Sequence, residues 1–172
     1  MPITPDTKDW TWVLRERCPE CGFDADSLTP RDVARRVDAA LPRWDAALAR
    51  AGVRERPRED TWSPLEYGCH VRDVFELLRQ RLELLLVEDG AQFANWDQDA
   101  TAIEKAYADS APEAVRAELA EQGAAARDAF AAVPEASYGR RGLRSNGSEF
   151  TVVTLAQYFL HDVEHHLHDV RG

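Results

Sequence analysis

The sequence has no long apolar run. A membrane-spanning helix needs about 20 consecutive apolar residues, and no stretch of these 172 residues approaches that length. The opening segment, MPITPDTKDWTW, also lacks the basic start and apolar centre of a secretory signal peptide. We therefore expect no membrane partner and a cytoplasmic location.

The sequence is also short of positive charge. Lys and Arg together number 21 against 31 Asp and Glu, which gives a formal net charge of −10. Nucleic acids and anionic membranes attract basic surfaces. The charge balance therefore argues against a nucleic-acid or anionic-membrane partner.

Cysteine is scarce, and the three residues present cannot build the disulfide framework of a small secreted domain. Cys18 and Cys21 form a C-x-x-C pair with zinc-like spacing, but a closed zinc site needs two more ligands. His166 or His168 could complete such a site if this segment packs against the last helix. A redox dithiol and a turn with two reduced cysteines are the alternative interpretations.

What the sequence does contain is helical patterning on the scale of one domain with a sizeable core. Residues 1–28, which carry the C-x-x-C pair, are predicted to form an irregular arm. Four helices are predicted near residues 30–51, 63–88, 112–133 and 151–170, from capping signals and apolar residues at helical spacing.

The signals between the helices set the predicted topology. Ser63 and Glu66 have the spacing of a capping box, which opens the second helix. Residues 91–111 form a connection too long for a simple helical hairpin, with room for one short helix. Asn146-Gly147 suits the tight turn of a small β-hairpin. Two long connections predict an all-α fold over residues 29–172, a four-helix bundle with crossover connections.

Four of the five histidines lie in the segment FLHDVEHHLHDV on the last predicted helix. At about 100° per residue, His165 and His168 lie within about 40° of His161, whereas His166 is about 140° away. An H-x-x-x-H pair lets two imidazoles bind one metal ion from a single helix. The alternative is a polar cluster that interacts with the negative end of the helix.

His70, the fifth histidine, strengthens the metal interpretation. It shares one face of the second helix with Val74, Leu77 and Arg81, which would line the bundle interior or its mouth. A lone histidine in that place is usually hydrogen-bonded within the core. Here a histidine pair on another helix is available, and three ligands with an open position are typical of a catalytic metal site.

These motifs resemble the DinB/YfiT-like superfamily. The segment WSPLEYGCHVRD is similar to its helix-two signature, in which Trp-Ser/Thr, a Glu and then a His recur in that order, and FLHDVEHH is similar to its fourth-helix H-x-x-x-H. The likeness covers about residues 29–170, and the N-terminal arm is extra to the minimal fold. The resemblance implies a four-helix bundle with a three-histidine divalent metal site, whose ligands here would be His70, His161 and His165. It implies no role for His166 or His168.

The resemblance also suggests chemistry. The superfamily includes mycothiol-dependent maleylpyruvate isomerase and bacillithiol or mycothiol S-transferases. It therefore implies a metal, with zinc or nickel expected, that activates mycothiol, another low-molecular-weight thiol, or water against a small electrophile. The alternatives are a metal-dependent hydrolase and a non-catalytic protein that binds a metal or a small ligand. The motifs do not separate these functions.

Residues around the predicted site have weaker assignments. Glu164 lies at the edge of the metal face and is a candidate catalytic base, although a solvent-facing position explains it as well. Asp73, next to His70 on the helix, is expected to be a surface charge. The candidate substrate-binding residues are Arg140, Arg141, Arg144 and Trp96. Trp44 and the leucine-rich second helix could also serve a homodimer interface, or simply the core.

Overall fold

The computed structural model of the chain describes residues 8–172, so the first seven residues of the predicted arm lie outside the described part. The helices are α1 (Pro30–Leu48), α2 (Pro64–Val87), α3 (Gln98–Glu104), α4 (Pro112–Ala131) and α5 (Val152–Asp169). The strands are β1 (Ala91–Phe93), β2 (Arg141–Arg144) and β3 (Glu149–Thr151). A 3₁₀ helix over Trp10–Leu14 is the main regular element of the arm.

The four long helices confirm the predicted all-α bundle, and α3 is the short helix expected in the long connection. Both α1 and α2 pack against α4 and α5, whereas α1 and α2 touch each other much less. Helices α1 and α2 therefore stand diagonally across the bundle, as do α4 and α5, whereas α2 and α4 lie side by side. The α1–α2 and α4–α5 connections are long because each must cross an end of the bundle.

Capping interactions fix where three of the helices begin. Ser63 accepts a hydrogen bond from the backbone of Glu66, and the Glu66 carboxylate accepts one from the backbone of Ser63 at 2.9 Å. This confirms the capping box predicted for α2. Similar reciprocal bonds open α1 at Thr29 and α5 at Thr151. Each box pairs backbone N–H groups that the first helical turn leaves without partners.

A small sheet closes one end of the bundle. The predicted hairpin forms between β2 and β3, which are antiparallel and joined through Asn146-Gly147, with Gly147 at a φ of +92°. The sequence analysis did not predict β1, which adds to β2 in parallel. Gly142 lies where the sheet meets α2, because a Cβ there would stand 2.5 Å from a methyl carbon of Leu85.

The core runs along the bundle axis and is rich in aromatic residues. The largest side chains with almost no exposed surface are Trp44, Tyr107, Phe75, Phe130 and Phe159. Asp73 is also buried, contrary to expectation, because the hydroxyl group of Tyr107 donates a hydrogen bond to its carboxylate. Within residues 8–172, no helix is long and apolar enough to cross a membrane.

Candidate metal centre

His70, Asp162 and His166 form a cluster between α2 and α5. His70 lies in the second turn of α2 and is fully buried. Asp162 and His166 are four residues apart on α5, so both side chains leave the helix on the side that faces His70. The bundle therefore brings one group from α2 and two from α5 to a single point.

The donor atoms of this cluster converge on one oxygen. Nε2 of His70 lies 3.1 Å from Oδ1 of Asp162, and Nε2 of His166 lies 3.1 Å from the same oxygen. Donors bound to one zinc ion at about 2.1 Å lie about 3.0 to 3.4 Å apart. Two imidazoles and a carboxylate are also a common donor set for catalytic zinc and iron. The cluster thus fits a divalent cation in both spacing and chemistry.

Neighbouring side chains hold the two imidazoles in place. The ring of His70 stacks on Trp96 with a centroid distance of 5.3 Å and also contacts Trp62. Its Nδ1 has no hydrogen-bond partner among residues 8–172, so its polar contact is made through Nε2. Nδ1 of His166 lies 2.8 Å from the carboxylate of Asp169. A carboxylate on the far nitrogen is the usual means of orienting a metal-bound histidine.

The electrostatics of the cluster favour a positive charge at His166. Burial alone would lower the pKa of His166, but hydrogen bonds to Asp162 and Asp169 raise it to about 9. Burial would likewise raise the pKa of Asp162, but the nearby imidazoles of His70 and His166 hold it well below the usual range. A divalent cation could replace the proton on His166 and satisfy the same carboxylate.

A second cluster occupies the neighbouring face of α5. His161 and His165, four residues apart, meet Cys18 and Cys21 of the arm, and the ligand atoms of all four lie within 4.8 Å of one another. Trp10 covers the two imidazoles, with ring centroids 5.6 Å from His161 and 5.2 Å from His165. This cluster and the first are adjacent, since the rings of His165 and His166 are 5.6 Å apart.

The second cluster has the opposite electrostatic character. Burial, together with the nearby imidazole of His165, lowers the pKa of His161 to about 4. Burial also lowers the pKa of His165 and raises that of Cys21 to about 11. Without a metal the imidazoles are therefore neutral and the Cys21 thiol is protonated, so no charge is buried there.

The structure divides the predicted ligands between the two clusters. His161 and His165 do share a face of α5, but His70 lies with His166, which the sequence analysis excluded. His168 is exposed. The set of His70, His161 and His165 stays a prediction, and the geometry favours a different grouping. The physical reason is the rotation of α5 about its own axis. The pair that faces α2 is Asp162 and His166, which lies one residue later in the sequence than His161 and His165.

Sequence reasoning missed Asp162 as a candidate ligand. The signal was present in the same segment, because Asp162 and His166 have the spacing of His161 and His165, one residue later. If only histidines are considered as ligands, the His161/His165 pair is found and the Asp162/His166 pair is not. Carboxylates are equally good partners for an imidazole at a divalent cation.

The other predicted residues lie at different places. Trp96 and Arg144 line a polar cleft beside the first cluster, together with Lys8, Asp9, Asn95, Asp97, Asp99 and Asn146. Arg140 and Arg141 do not line it: the Arg140 side chain donates to the carbonyl of Leu85, and Arg141 pairs with Asp89. The carboxylate of Glu164 accepts hydrogen bonds from Arg36 through both oxygens, which leaves it poorly suited to act as a base.

A smaller pocket links the cleft to both clusters. It is lined by Trp10, Gln98, Tyr158, His161, Asp162, His165 and His166, and it shares the first three with the cleft. A small ligand in the cleft could therefore reach the donor atoms of His166 and Asp162. The arm forms one wall of this path through Trp10.

Comparisons with known proteins agree with this architecture. The sequence model of the DinB superfamily matches residues 39–170. Among solved structures, YfiT from Bacillus subtilis superimposes with a TM-score of 0.73 at 16% sequence identity, covering 83% of this chain and 86% of YfiT. That structure is described as a probable metal-dependent hydrolase with an unusual four-helix bundle topology. No curated protein matches this chain.

Proposed function

This chain belongs to the DinB superfamily, and from that premise we propose that it is a divalent-metal-dependent enzyme with His70, Asp162 and His166 as ligands. The observation that carries the proposal is the convergence of two imidazole nitrogens on one Asp162 oxygen, each at 3.1 Å. Three protein donors leave coordination positions open, as catalytic sites require. Zinc and nickel both suit this donor set.

Hydrolysis of a small polar substrate is the reaction that this geometry supports best. The cation, when bound, supplies Lewis acidity that polarises a substrate and makes water a stronger nucleophile. The chain supplies the rest: Asp169 orients His166 through Nδ1, and Trp96 holds the His70 ring. The description of YfiT as a probable metal-dependent hydrolase supports the same class.

The cleft supplies the groups that would bind the substrate. Arg144 is 8% exposed, and Asn146 and Ser148 hold its guanidinium at the cleft wall. Lys8, near the N-terminus, adds a second positively charged side chain to the lining of this cleft. An anionic or amide-containing substrate would find hydrogen-bond partners here, because guanidinium groups bind carboxylates and phosphates well.

Transfer of a low-molecular-weight thiol is the second candidate. The cleft that adjoins Asp162 and His166 carries the carboxylates of Asp9 and Asp97 and the amide of Asn95. These acceptors and donors suit a hydroxyl-rich molecule such as mycothiol. The same metal would then favour the thiolate form of the thiol, which is the nucleophile toward electrophiles.

One set of assays tests the proposal and separates the two reactions. The purified full chain, with metal removed and then restored with zinc or nickel, is given activated esters and amides without thiol, and a chloro-dinitroarene with mycothiol. We expect turnover that disappears on chelation and returns with metal. Turnover of the esters favours hydrolysis, and turnover that requires mycothiol favours thiol transfer.

The variant His168→Ala is the control, because this exposed histidine belongs to neither cluster. It should keep the bound metal and the activity, whereas Asp162→Ala should lose the activity together with the metal equivalent held at His70 and His166. Full metal binding by Asp162→Ala, or a metal-loaded enzyme inert in every assay, would contradict the proposal.

A further inference from the structure

The two cysteines of the arm are held by a tight turn. The backbone N–H of Cys18 donates to the carbonyl of Phe23 at 2.8 Å, and that of Gly22 donates to the carbonyl of Cys18 at 2.9 Å. Gly22 adopts a φ of +78°, a conformation that suits glycine. The turn brings both sulfur atoms to the same side of the chain, facing α5.

On α5 the turn meets a matched pair of imidazoles. Cys18 Sγ lies 3.7 Å from Nδ1 of His165, and the four ligand atoms of the cluster lie within 4.8 Å of one another. Cys18, His161 and His165 are each more than nine-tenths buried. Two thiols and two imidazoles that converge in a buried place form the donor set of a structural zinc site.

We propose that Cys18, Cys21, His161 and His165 bind one zinc ion in a closed, four-ligand site that fastens the N-terminal arm to α5. The site is separate from the one at His70, because it uses the other i, i+4 pair of the helix. Binding releases the two thiol protons, so a divalent ion with two thiolates and two neutral imidazoles carries no net charge. A neutral cluster is one that this buried location can hold.

Two further observations point to a ligand at this place. Nε2 of His161 is buried and has no hydrogen-bond partner among residues 8–172, which is costly unless something else satisfies it. His165 turns Nδ1 toward the cysteines, while its Nε2 lies 3.4 Å from the carboxylate of Glu20. One nitrogen on the metal and the other near a carboxylate is the usual arrangement of a ligating histidine.

The architecture of the arm gives this site its role. Between Lys8 and Leu28 the arm has little regular structure beyond one short 3₁₀ helix. A zinc ion shared with α5 would fix the arm, because metal binding free energy acts as folding free energy. It would also hold Trp10 against His161 and His165, where Trp10 forms a wall of the pocket. Four protein ligands leave no open position, so the role is structural.

Cobalt substitution of the full chain tests the proposal directly. Cobalt bound by cysteine gives a thiolate-to-metal charge-transfer band in the near ultraviolet, whereas cobalt at His70, Asp162 and His166 gives none. We expect this band in the wild-type protein, and its loss in Cys18→Ser and Cys21→Ser with one fewer metal equivalent. Cys69→Ala is the matched control, since this buried cysteine lies outside the cluster.

The test separates this site from the proposed catalytic one. His166→Ala should keep the charge-transfer band even if all turnover is lost. Cobalt uptake by the wild-type protein without the band would overturn the zinc site, as would a band that survives in Cys18→Ser. A Cys18–Cys21 disulfide as the stable form of the protein, detected by mass under non-reducing conditions, would overturn it too.

A measurement on the wild-type protein avoids variants that fail to fold. Arg15 and Arg17 are exposed tryptic sites within the arm. Removal of zinc should speed tryptic cleavage after these residues at least tenfold, while the helical circular dichroism signal of the bundle is retained. An unchanged cleavage rate after zinc removal would show that no metal fastens the arm.

Discussion

His165 and His166 are neighbours in sequence with opposite electrostatic surroundings. Burial lowers the pKa of His165, so this imidazole is neutral and faces the Cys18 thiol. His166 is partly buried, which alone would lower its pKa, but hydrogen bonds to Asp162 and Asp169 raise that pKa to about 9. At the His165 side of α5, negative charge for a metal site would come from the cysteines when they lose their protons. At the His166 side, the carboxylates of Asp162 and Asp169 already supply negative charge that attracts a cation.

Alanine substitutions of these histidines should give distinct results. His166→Ala should lower metal-dependent turnover by more than about 100-fold, because it removes a direct ligand and even indirect partners cost 10- to 100-fold. Cobalt bound at the cysteines should keep its absorption band in this variant. The measurement is turnover together with metal content and the cobalt spectrum.

The sequence-based ligand set of His70, His161 and His165 predicts the reverse. His161→Ala would then abolish the catalytic metal, and His166→Ala would leave it in place. If His166→Ala keeps wild-type turnover and metal affinity, the grouping of His70 with Asp162 and His166 does not describe the catalytic site.

Asp73 is a buried carboxylate whose hydrogen bonds and ion pairs stabilise the bundle. Its carboxylate accepts hydrogen bonds from Tyr107 at 2.5 Å and from Arg72 at 2.9 Å, and Lys105 lies 2.9 Å away. Burial alone would raise the pKa of Asp73, but these partners hold it below its usual value. We expect Asp73→Asn to reduce the free energy of unfolding at pH 7 by about 3 kcal/mol, since it breaks a buried ion pair.

The effect of Asp73→Asn should depend on pH in a defined direction. Because the folded-state pKa of Asp73 is below the unfolded value, the ionised group stabilises the fold above about pH 4. That contribution disappears as the pH falls through the folded-state pKa. Urea unfolding at several pH values should therefore show a stability difference from wild type that is full at pH 7 and shrinks in acid.

Asp38→Asn is the matched control for this experiment. Asp38 pairs with Arg127 at 2.8 Å, but its side chain is 62% exposed. Exposed pairs contribute roughly 0 to 1 kcal/mol. An Asp73→Asn effect no larger than that of Asp38→Asn, or one that grows in acid, would count against the buried network.

At the scale of elements, the contact between β2 and α2 fixes the sheet to the bundle. Gly142 leaves no room for a side chain, because a Cβ would stand 2.5 Å from Cδ1 of Leu85 and 2.9 Å from Cε1 of Phe93. Leu85 is fully buried and has little freedom to move away. The close approach of strand and helix therefore depends on glycine at this position.

Gly142→Ala should destabilise the protein by about 1 to 3 kcal/mol through overpacking of this contact. The urea midpoint of unfolding is the measurement. Gly139→Ala, in the turn before β2, is the control because a Cβ there would meet nothing within 4 Å. Equal midpoints for the two variants would show that the sheet shifts freely on α2.

For the whole molecule, homodimerisation stays a prediction. Trp44 takes no part in it, since this side chain is fully buried in the core. The described surface offers Leu84 and Val87 near the end of α2, which are 46% and 84% exposed. These two residues lie three apart on the helix, so they share a face.

Light scattering at micromolar concentrations should give twice the chain mass of 19.4 kDa if α2 pairs with its copy. Val87→Glu would then yield the monomer, because it places a charge in an apolar contact. Ile103→Glu, at an exposed apolar residue on α3, is the comparison variant. A single-chain mass for the wild type at all concentrations would reject the dimer.

The sequence by itself determined the elements of this protein. Capping residues such as Ser63 and Glu66, and apolar residues at helical spacing, predicted the four long helices and the crossover bundle. These signals are local, since each depends on residues within one or two turns. The short strand β1 was missed because its partner β2 lies about 50 residues away in sequence.

Only the tertiary structure decided which side chains meet. The pairs His161/His165 and Asp162/His166 have the same spacing and differ by one residue, or about 100° of rotation. Which pair faces His70 depends on how α5 turns when Phe159, Leu160 and Val163 pack into the core. The arm is a similar case: C-x-x-C spacing indicated half of a site. Its partners were set by where the arm folds back on α5, because contacts distant in sequence come from packing.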